Sequence, residues 1–280
     1  MLRVLIAGCG YVGCALGERL ARDGHEVWGL RRDVSRLPAG IRPFRADLSA
    51  PASLARLPGR FDHVFYTAGA ASFSDEAYRS AYVDGLRNVI DALQAARQAP
   101  RRFFFTSSTG VYAQDAGEWL DEASPAAPRW FSGLRLIEGE SLLREAGFPA
   151  TVVRLGGIYG PGRARLIDQV RDGTARRTAG RTPYLNLIHR DDCAGVLCHL
   201  MSLDAPEPLY LAVDNEPVER NVLLCWVAER LGLPCPPFAG EERVSEPQRG
   251  GSRRFRNGLL ASSGYRFVFP AYREGYAALL

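Results

Sequence analysis

The 280-residue sequence contains no lysine, so all 35 of its basic residues are arginine. A GC-rich genome that favours arginine codons is the simplest cause of this bias. The chemical consequence holds for any cause, because a lysine Schiff base and a lysine that lowers the pKa of a neighbouring group are both excluded. The arginines are dispersed, with no basic stripe interleaved with aromatic residues, which argues against nucleic-acid binding.

Three further absences narrow the class of protein. No run of 18 apolar residues occurs, so the sequence predicts no membrane span. The start, MLRVLIAGCG, turns into glycine too soon for a signal peptide and favours a first buried strand. The six cysteines form no C-x-x-C pair and join no histidine cluster, so we predict no metal site. Scattered cysteines are expected to act as small buried residues in a reducing cytoplasm.

Short apolar runs alternate with helical patterns through the first half of the chain. This alternation predicts an α/β fold, a Rossmann-type doubly wound parallel sheet whose strands are buried on both faces. The predicted strands cover 2–7, 26–30, 61–67, 102–106, 150–155, 184–188 and 209–213, and the predicted helices cover 11–22, 76–98, 132–146 and 219–231. We place a dinucleotide-binding domain at 1–158 and a small C-terminal substrate-binding part, interleaved with the sheet edge, at 159–280.

A glycine motif joins the first strand to the first helix. In Gly8-Cys-Gly10-Tyr-Val-Gly13, the first glycine allows a tight turn, the second lets backbone approach a pyrophosphate, and the third lets helix and strand pack closely. Tyr11 and Val12 begin a helix whose N-terminus directs N–H groups at a phosphate. A G-x-G-x-x-G motif between a strand and a helix predicts a dinucleotide site.

The end of the second strand selects the dinucleotide. An acidic residue there binds the ribose 2′-hydroxyl of NAD, whereas an arginine accommodates the 2′-phosphate of NADP. Arg31 and Arg32 stand at this point, so we predict NADP as the preferred cofactor and NAD as the alternative. Two alternatives stay open: both arginines are solvated surface residues, or Asp33 is an NAD-type acid in a register shifted by two residues.

Six further motifs extend along nearly the whole chain. They are residues 46–48 (ADL), 67–70 (TAGA), 82–88 (YVDGLRN), 107–112 (SSTGVY), 154–162 (RLGGIYGPG) and 187–192 (LIHRDD). Together they resemble the extended and atypical branch of the short-chain dehydrogenase/reductase superfamily, the NAD-dependent epimerase/dehydratase family. The extended members usually carry G-x-x-G-x-x-G, whereas Ala7 replaces the first glycine here, as is typical of the atypical group.

The resemblance implies roles for individual residues. Cofactor contacts are implied for Asp47, Leu48, Thr67, Ala68, Gly69 and Ser107. Asn88 is implied to support the active site, and Ser108 to be the catalytic hydroxyl presented after the fifth strand. The resemblance also allows a homodimer formed through the helices predicted at 76–98 and 132–146.

The family's catalytic base is missing. The family uses a tyrosine, whose pKa is ordinarily about 10, and lowers that pKa with a lysine four residues later and with the nicotinamide ring. A glutamate follows the lysine by four residues, and Glu140 matches it, which puts Leu136 at the lysine position and Ser132 at the tyrosine position. No shift of register restores the pair, because no tyrosine occurs between Tyr112 and Tyr159.

Four residues are the candidates for the catalytic site. Ser108 would polarise a substrate oxygen. Tyr112 either approaches the nicotinamide or packs beside the substrate pocket. Ser132 and Arg135 are three residues apart and share a helix face, where the arginine would hold a carboxylate, a phosphate or a ribose hydroxyl. Further along the chain, we interpret His189 as structural and Asp121 and Glu122 as solvated.

Two functional hypotheses follow from these residues. The first is an NAD(P)-dependent reductase, dehydrogenase or epimerase that acts on a carbonyl or hydroxyl group of a small or sugar-like substrate with atypical acid–base residues. Water or Tyr112 would then relay the proton. The second is a non-catalytic NADP(H)-binding sensor or scaffold, because the glycine motif is intact while the tyrosine and lysine are absent. Under both, we expect a cytoplasmic protein with no nucleic-acid or membrane partner.

Overall fold

The computed structural model describes residues 1–180, 182–239 and 252–280. The chain forms two compact units: the first comprises Met1–Tyr112, Pro125–Leu155 and Cys193–Tyr210, and the second comprises Ala113–Ser124, Gly156–Asp192 and Leu211–Leu280. This division differs from a single boundary at residue 158, because the chain passes between the units several times.

A seven-stranded sheet contains most of the strands predicted for the first half of the chain. Its order is β11-β7-β5-β4-β1-β2-β3, and the pairings that join β3, β2, β1, β4, β5 and β7 are all parallel. The bounds are β1 Arg3–Ala7, β2 Glu26–Arg31, β3 Ile41–Arg45, β4 His63–Tyr66, β5 Arg102–Ser108, β7 Ala150–Leu155 and β11 Leu209–Ala212. The predicted doubly wound parallel sheet is thus confirmed.

Aromatic and β-branched side chains explain why the middle of this sheet is buried. Phe103, Phe104 and Phe105 of β5 are all fully buried, and Phe104 stacks on Phe65 of β4 with ring centroids 4.6 Å apart. Residues of this kind pack well on a pleated surface covered on both faces. Because β1, β4 and β5 are parallel neighbours, the loops that follow them lie at one edge of this buried sheet.

Helices flank the sheet strands along the chain, and some of their bounds match the sequence pattern residue for residue. The helices are α1 Tyr11–Arg22, α2 Pro51–Leu54, α3 Asp75–Arg79, α4 Gly85–Ala95, α5 Phe131–Glu145, α6 Arg165–Arg171, α7 Arg190–Ser202, α8 Arg220–Arg230, α9 Gly258–Ser262 and α10 Tyr272–Ala277. Helix α1 and strand β7 have the predicted bounds. Helix α7 was not predicted.

The long helix expected at 76–98 is interrupted. A π-helical turn, Ser80–Asp84, separates α3 from α4. The hydroxyl of Tyr66 donates a hydrogen bond to the carbonyl of Ala81, and a Cβ placed on Gly85 would lie 2.7 Å from the same hydroxyl. The Tyr66 hydroxyl thus takes a carbonyl that a regular helix would pair with its own backbone, and such an insertion widens the turn.

Among its described residues, the second unit contains three two-stranded sheets. Strand β8 Gly157–Tyr159 pairs with β10 Leu187–His189, β9 Tyr184–Leu185 pairs with β12 Val218–Glu219, and β6 Trp119–Leu120 pairs with β13 Arg254–Phe255. The strand predicted at 184–188 is therefore two strands. Asn186 lies between them. Its side-chain amide donates to the Arg253 carbonyl and accepts from the Phe255 N–H, each at 2.9 Å.

The cysteine expectation is wrong for one pair. Cys225 of α8 and Cys235 are joined by a disulfide, with Cα atoms 4.6 Å apart, whereas Cys9, Cys14, Cys193 and Cys198 form no disulfide. The two bonded cysteines are ten positions apart in the sequence, so no C-x-x-C spacing pointed to them. In the described residues, no group of three or more potential metal ligands occurs, and no helix is long and apolar enough to cross a membrane.

Candidate cofactor and active site

Gly8 makes the turn between β1 and the glycine motif, and its geometry explains why glycine is required. Its φ is +80°, and a Cβ there would lie 2.5 Å from the backbone nitrogen and Cα of Ala68. A left-handed conformation and a close backbone approach both favour glycine. The Thr67 hydroxyl donates to the Gly8 carbonyl at 3.0 Å, so the loops after β1 and β4 hold each other in place.

Gly10 and Gly13 differ in what surrounds them. A Cβ on Gly13 would lie 2.7 Å from Thr67 Oγ1 and 3.0 Å from Ile6, so this glycine allows α1 to pack on the sheet. A Cβ on Gly10 would meet nothing nearer than the Gly8 carbonyl, at 3.8 Å. Gly10 caps α1 without any side-chain hydrogen bond. The helix N-terminus therefore has an open side that suits a phosphate group.

A cavity of about 400 Å³ lies beside this helix terminus in the first unit. Eight of the predicted cofactor residues line it: Gly8, Gly10, Arg31, Arg32, Asp47, Leu48, Ala68 and Gly69. The other five predicted cofactor residues, Tyr11, Val12, Gly13, Thr67 and Ser107, do not. Ser80 and Ala81 of the π-helical turn also line the cavity, although no sequence signal pointed to them.

The three polar residues at the end of β2 are in different environments. Arg31, the last residue of the strand, donates to the Cys9 carbonyl at 3.2 Å and approaches Cys14 Sγ at 3.9 Å. Arg32 is exposed at the cavity. Asp33 accepts hydrogen bonds from Ser35, from the backbone N–H at 3.0 Å and from the hydroxyl at 2.6 Å, and these bonds lower the pKa of its carboxyl.

The loop after β3 is held by its own turn and by a helix. The Asp47 carboxylate accepts from the Ser49 N–H at 2.9 Å, and this hydrogen bond lowers the pKa of Asp47. Asn88 of α4 donates to the Leu48 carbonyl at 2.7 Å. This hydrogen bond from Asn88 braces the cavity loop, and the role in the active site that the resemblance implies for Asn88 stays a prediction.

Ser108 and Ser107 end β5 and face different surroundings. The Ser108 hydroxyl is half-buried and accepts a hydrogen bond from the Gly110 N–H at 3.1 Å. Because that bond uses an oxygen lone pair, the Ser108 proton stays available to a substrate oxygen. The Ser107 hydroxyl is buried and donates to Glu140 Oε1 at 2.6 Å, so Ser107 belongs to the packing behind the strand.

A buried ion pair lies behind the site and was not predicted. Arg154 of β7 forms two bonds to Glu140 of α5, at 3.0 Å from Nε and at 2.7 Å from Nη2. Both side chains are at most 7% exposed. Arg154 also donates to the Tyr112 hydroxyl at 2.8 Å, and Tyr112 is 2% exposed. The Tyr112 side chain therefore packs within a polar core, against Arg154.

Helix α5 carries the positions of the missing pair. A Cβ on Gly133 would lie 2.8 Å from the Gly110 carbonyl, so the first turn of α5, with Ser132, packs on the turn that follows Ser108. Leu136, at the lysine position, is 3% exposed. The structure thus brings the Ser108 turn and the Ser132 turn together and fills the lysine position with a core side chain.

Arg135 is held away from that contact. Its guanidinium binds Asp75 of α3 through two bonds, at 2.8 and 2.9 Å, and Glu138 through a third at 2.8 Å. These hydrogen bonds raise the pKa of Arg135 further and lower that of Asp75. Arg135 joins α5 to α3, because three of its donors are already used within the protein.

Three residues of the second unit have structural partners. His189 is buried and accepts from the Asp191 N–H at 3.2 Å, and burial lowers its pKa. Asp121 accepts from the Ala123 N–H and the Ser124 hydroxyl within one turn. Glu122 accepts from the Leu211 N–H at 2.8 Å, which is a backbone partner rather than solvent.

The parallel sheet, the glycine turn and the cavity at the helix terminus define the doubly wound dinucleotide-binding class. The model of the NAD dependent epimerase/dehydratase family matches residues 4–208. The chain belongs to this family, and the resemblance read from the motifs is confirmed. Members of this family are NAD-dependent oxidoreductases, epimerases and dehydratases.

Individual relatives cover much of the chain. The 3-diazoavenalumate denitrifying reductase of a Streptomyces species is 29% identical over 98% of this chain and 99% of its own length. The dTDP-6-deoxy-L-talose 4-dehydrogenase (NAD(P)(+)) of Kitasatospora kifunensis is 34% identical over 65% of this chain and 61% of its own. A solved structure of the NAD-dependent epimerase/dehydratase type from Methylobacillus flagellatus is 40% identical to this chain. The match covers 99% of this chain and 97% of the other, with a TM-score of 0.84.

Proposed function

We propose that the protein is an NADP(H)-dependent reductase or dehydrogenase that acts on a carbonyl or hydroxyl group of a small molecule. The observation that carries this proposal is the cavity itself, which combines an open glycine turn at a helix N-terminus with two arginines at the end of β2. The reductase and the dehydrogenase among its relatives support the reaction class.

The arginines support NADP over NAD. Arg31 occupies the strand end where an NAD-binding protein has an acidic residue, and Arg32 adds a second positive charge at the cavity. Guanidinium groups bind phosphate through paired, charge-assisted hydrogen bonds. Asp33, the open alternative for an NAD-type acid, already accepts two hydrogen bonds from Ser35 and lies 3.7 Å from Arg36. Its carboxylate is thus used in capping its own turn.

The chain contributes binding and polarisation. When bound, the dinucleotide supplies or accepts the hydride. The α1 terminus and Gly10 would hold the pyrophosphate, and Arg31 and Arg32 the 2′-phosphate. Ser108 would donate its proton as a hydrogen bond to the substrate oxygen, which draws charge onto that oxygen as the carbon is reduced.

A second candidate is a protein that binds NADP(H) without turnover. The burial of Leu136 favours it, because the lysine position is filled by packing rather than by another polar group. In that case Ser108 only caps the turn that follows β5.

One experiment separates the two candidates. Calorimetry first measures the binding of NADPH and NADH, and oxidation of NADPH is then followed against a panel of ketones, aldehydes and nucleotide sugars. Turnover that is lost in Ser108→Ala supports the enzyme. Binding of NADPH with no oxidation by any compound supports the sensor. Binding of neither dinucleotide below millimolar concentration contradicts both.

A further inference from the structure

Tyr82 belongs to the π-helical turn between α3 and α4, which borders the cofactor cavity. Its two predecessors, Ser80 and Ala81, line the cavity, and its own side chain is half-buried. A Cβ placed on Gly69, another lining residue, would have the Tyr82 hydroxyl as its nearest neighbour, at 3.9 Å. The phenol thus reaches the loop after β4 from the helix side of the cavity.

Helix α5 covers the backbone of Tyr82 on another side. A Cβ on Gly139 would overlap the Tyr82 carbonyl oxygen and lie 3.2 Å from the ring of Phe105, so only glycine allows this approach. Leu136 is three residues before Gly139 and lies on the same helix face. Tyr82 therefore sits beneath the part of α5 from which the family's lysine, and one turn earlier its tyrosine, would project.

The ring of Tyr82 is held by its neighbours. Tyr78 packs on it with centroids 5.3 Å apart, and Phe131 of α5 packs edge-on against Tyr78 at 5.5 Å. Arg135 and Asp75 fasten α5 to α3 across the same contact. A phenol in such a setting is preorganised, because the packing limits its ring orientations.

We propose that Tyr82 provides the proton-transferring hydroxyl that is missing at position 132. This inference rests on the proposed function. In the direction of reduction, the Tyr82 O–H bond breaks and its proton goes to the carbonyl oxygen of the substrate, while the carbonyl carbon receives the hydride. A proton from water then restores the phenol. One hydride and one proton are consumed for each carbonyl group reduced, and the reverse direction returns both.

The test compares Tyr82→Phe with Tyr78→Phe, a matched variant one turn earlier in the same aromatic contact. NADP⁺ is the probe, and the near-ultraviolet absorbance of tyrosinate is titrated against pH with and without it. A positive charge within about 4–6 Å favours the ionised form of an acidic group and lowers its pKa, by about 1–3 units for an aspartate beside an arginine. We expect NADP⁺ to lower the midpoint of one tyrosine by at least about one pH unit in the wild type and in Tyr78→Phe. The shift should be absent in Tyr82→Phe.

The second measurement is the kcat for any carbonyl compound that the wild type reduces. Tyr82→Phe should lower kcat by about 10²–10⁴-fold, the usual contribution of a positioned acid or base, and leave the Kd of NADPH unchanged. A midpoint shift that persists in Tyr82→Phe, a wild type that binds NADP⁺ without any shift, or an unchanged kcat would each overturn the proposal. If calorimetry finds no dinucleotide binding, the proposed function fails first, and the role of Tyr82 fails with it.

Discussion

The two ends of the candidate site in the first unit contrast sharply. At the glycine motif, the turn at Gly8 and the close packing at Gly13 require glycine, and Gly10 lies at the open helix terminus. At α5, the positions predicted for the family's tyrosine and lysine hold Ser132 and Leu136, and Leu136 is buried. One end retains its motif almost complete, whereas the other has become mostly a packing surface.

The difference teaches that binding and chemistry depend on separate parts of this fold. The glycine turn is held to the loop after β4 by Thr67, whose hydroxyl donates to the Gly8 carbonyl. The α5 end is held by Glu140 and Arg154, which bind each other behind β5. The contacts that hold the glycine turn and those that hold α5 are therefore made by different residues.

The largest expected effect is a loss of folding stability when the ion pair between Glu140 of α5 and Arg154 of β7 is broken. Glu140→Ala leaves Arg154 buried and unpaired, and loss of one partner of a buried pair costs about 3–5 kcal/mol. The free energy of unfolding in urea measures this loss. Glu138→Ala is the control, because that carboxylate is exposed and such pairs contribute about 0–1 kcal/mol. Equal losses in the two variants would show that the buried Glu140–Arg154 pair stabilises the fold no more than an exposed ion pair does.

The next effect tests the open side of the glycine turn. Gly10→Ala adds a Cβ with no atom nearer than 3.8 Å, so folding should be little affected. The same Cβ would occupy space predicted for the pyrophosphate, so NADPH affinity should fall at least about 100-fold, or about 2.7 kcal/mol. Calorimetry measures the NADPH affinity, and thermal unfolding measures the stability of the fold. Gly258→Ala, in open space on α9, is the control. Unchanged affinity in Gly10→Ala would remove the assignment of the pyrophosphate site.

A smaller effect tests which dinucleotide the cavity prefers. Arg31→Ala removes a charged donor, and a hydrogen bond to a charged group contributes about 1.5–3 kcal/mol. NADPH binding should weaken at least about tenfold, whereas NADH binding should change little. Arg36→Ala is the control, because Arg36 is exposed and its partner is Asp33. Equal weakening of NADPH and NADH by Arg31→Ala would refute the argument for NADP.

The smallest expected effect is a difference in reactivity between two half-buried thiols, Cys14 and Cys198, and it requires no change in the fold or in binding. A hydrogen bond with Cys9, together with the charge of Arg31, lowers the pKa of Cys14 to about 7. Burial raises the pKa of Cys198 to about 12. At pH 7.5, Cys14 should react with iodoacetamide about 100-fold faster, because its larger thiolate fraction outweighs its lower nucleophilicity. Peptide mass spectrometry gives both rates. Similar rates would contradict this environment for Cys14.

Local patterns predicted much of the framework. The bounds of α1 and β7 follow from apolar periodicity, and the glycine motif follows from a spacing that local geometry requires. Eight of the predicted cofactor residues line one cavity for the same reason, since parallel strands end at a common edge of the sheet. The disulfide, helix α7 and the split of 184–188 had no such local signal.

The catalytic candidates were harder to predict, because their partners are distant in sequence. Arg135 meets Asp75 across 60 residues, and Tyr112 meets Arg154 across 42. A helix-face argument placed Arg135 beside Ser132 but could not show that a carboxylate on another helix would bind it. Glu140 served only to align the missing pair, although its long-range partner makes it a central buried group.

The sequence by itself determined the parallel α/β framework, the glycine turn and the absence of the tyrosine and lysine. These follow from periodicity, spacing and residue identity, which are properties of short segments. The tertiary structure alone decided that Arg135 faces Asp75, that Tyr112 is buried on Arg154, and that a π-helical turn places Ser80 and Ala81 at the cavity. The physical reason is that side-chain partners are chosen by packing between segments far apart in the chain, as the Tyr66 hydroxyl shows when it takes the Ala81 carbonyl.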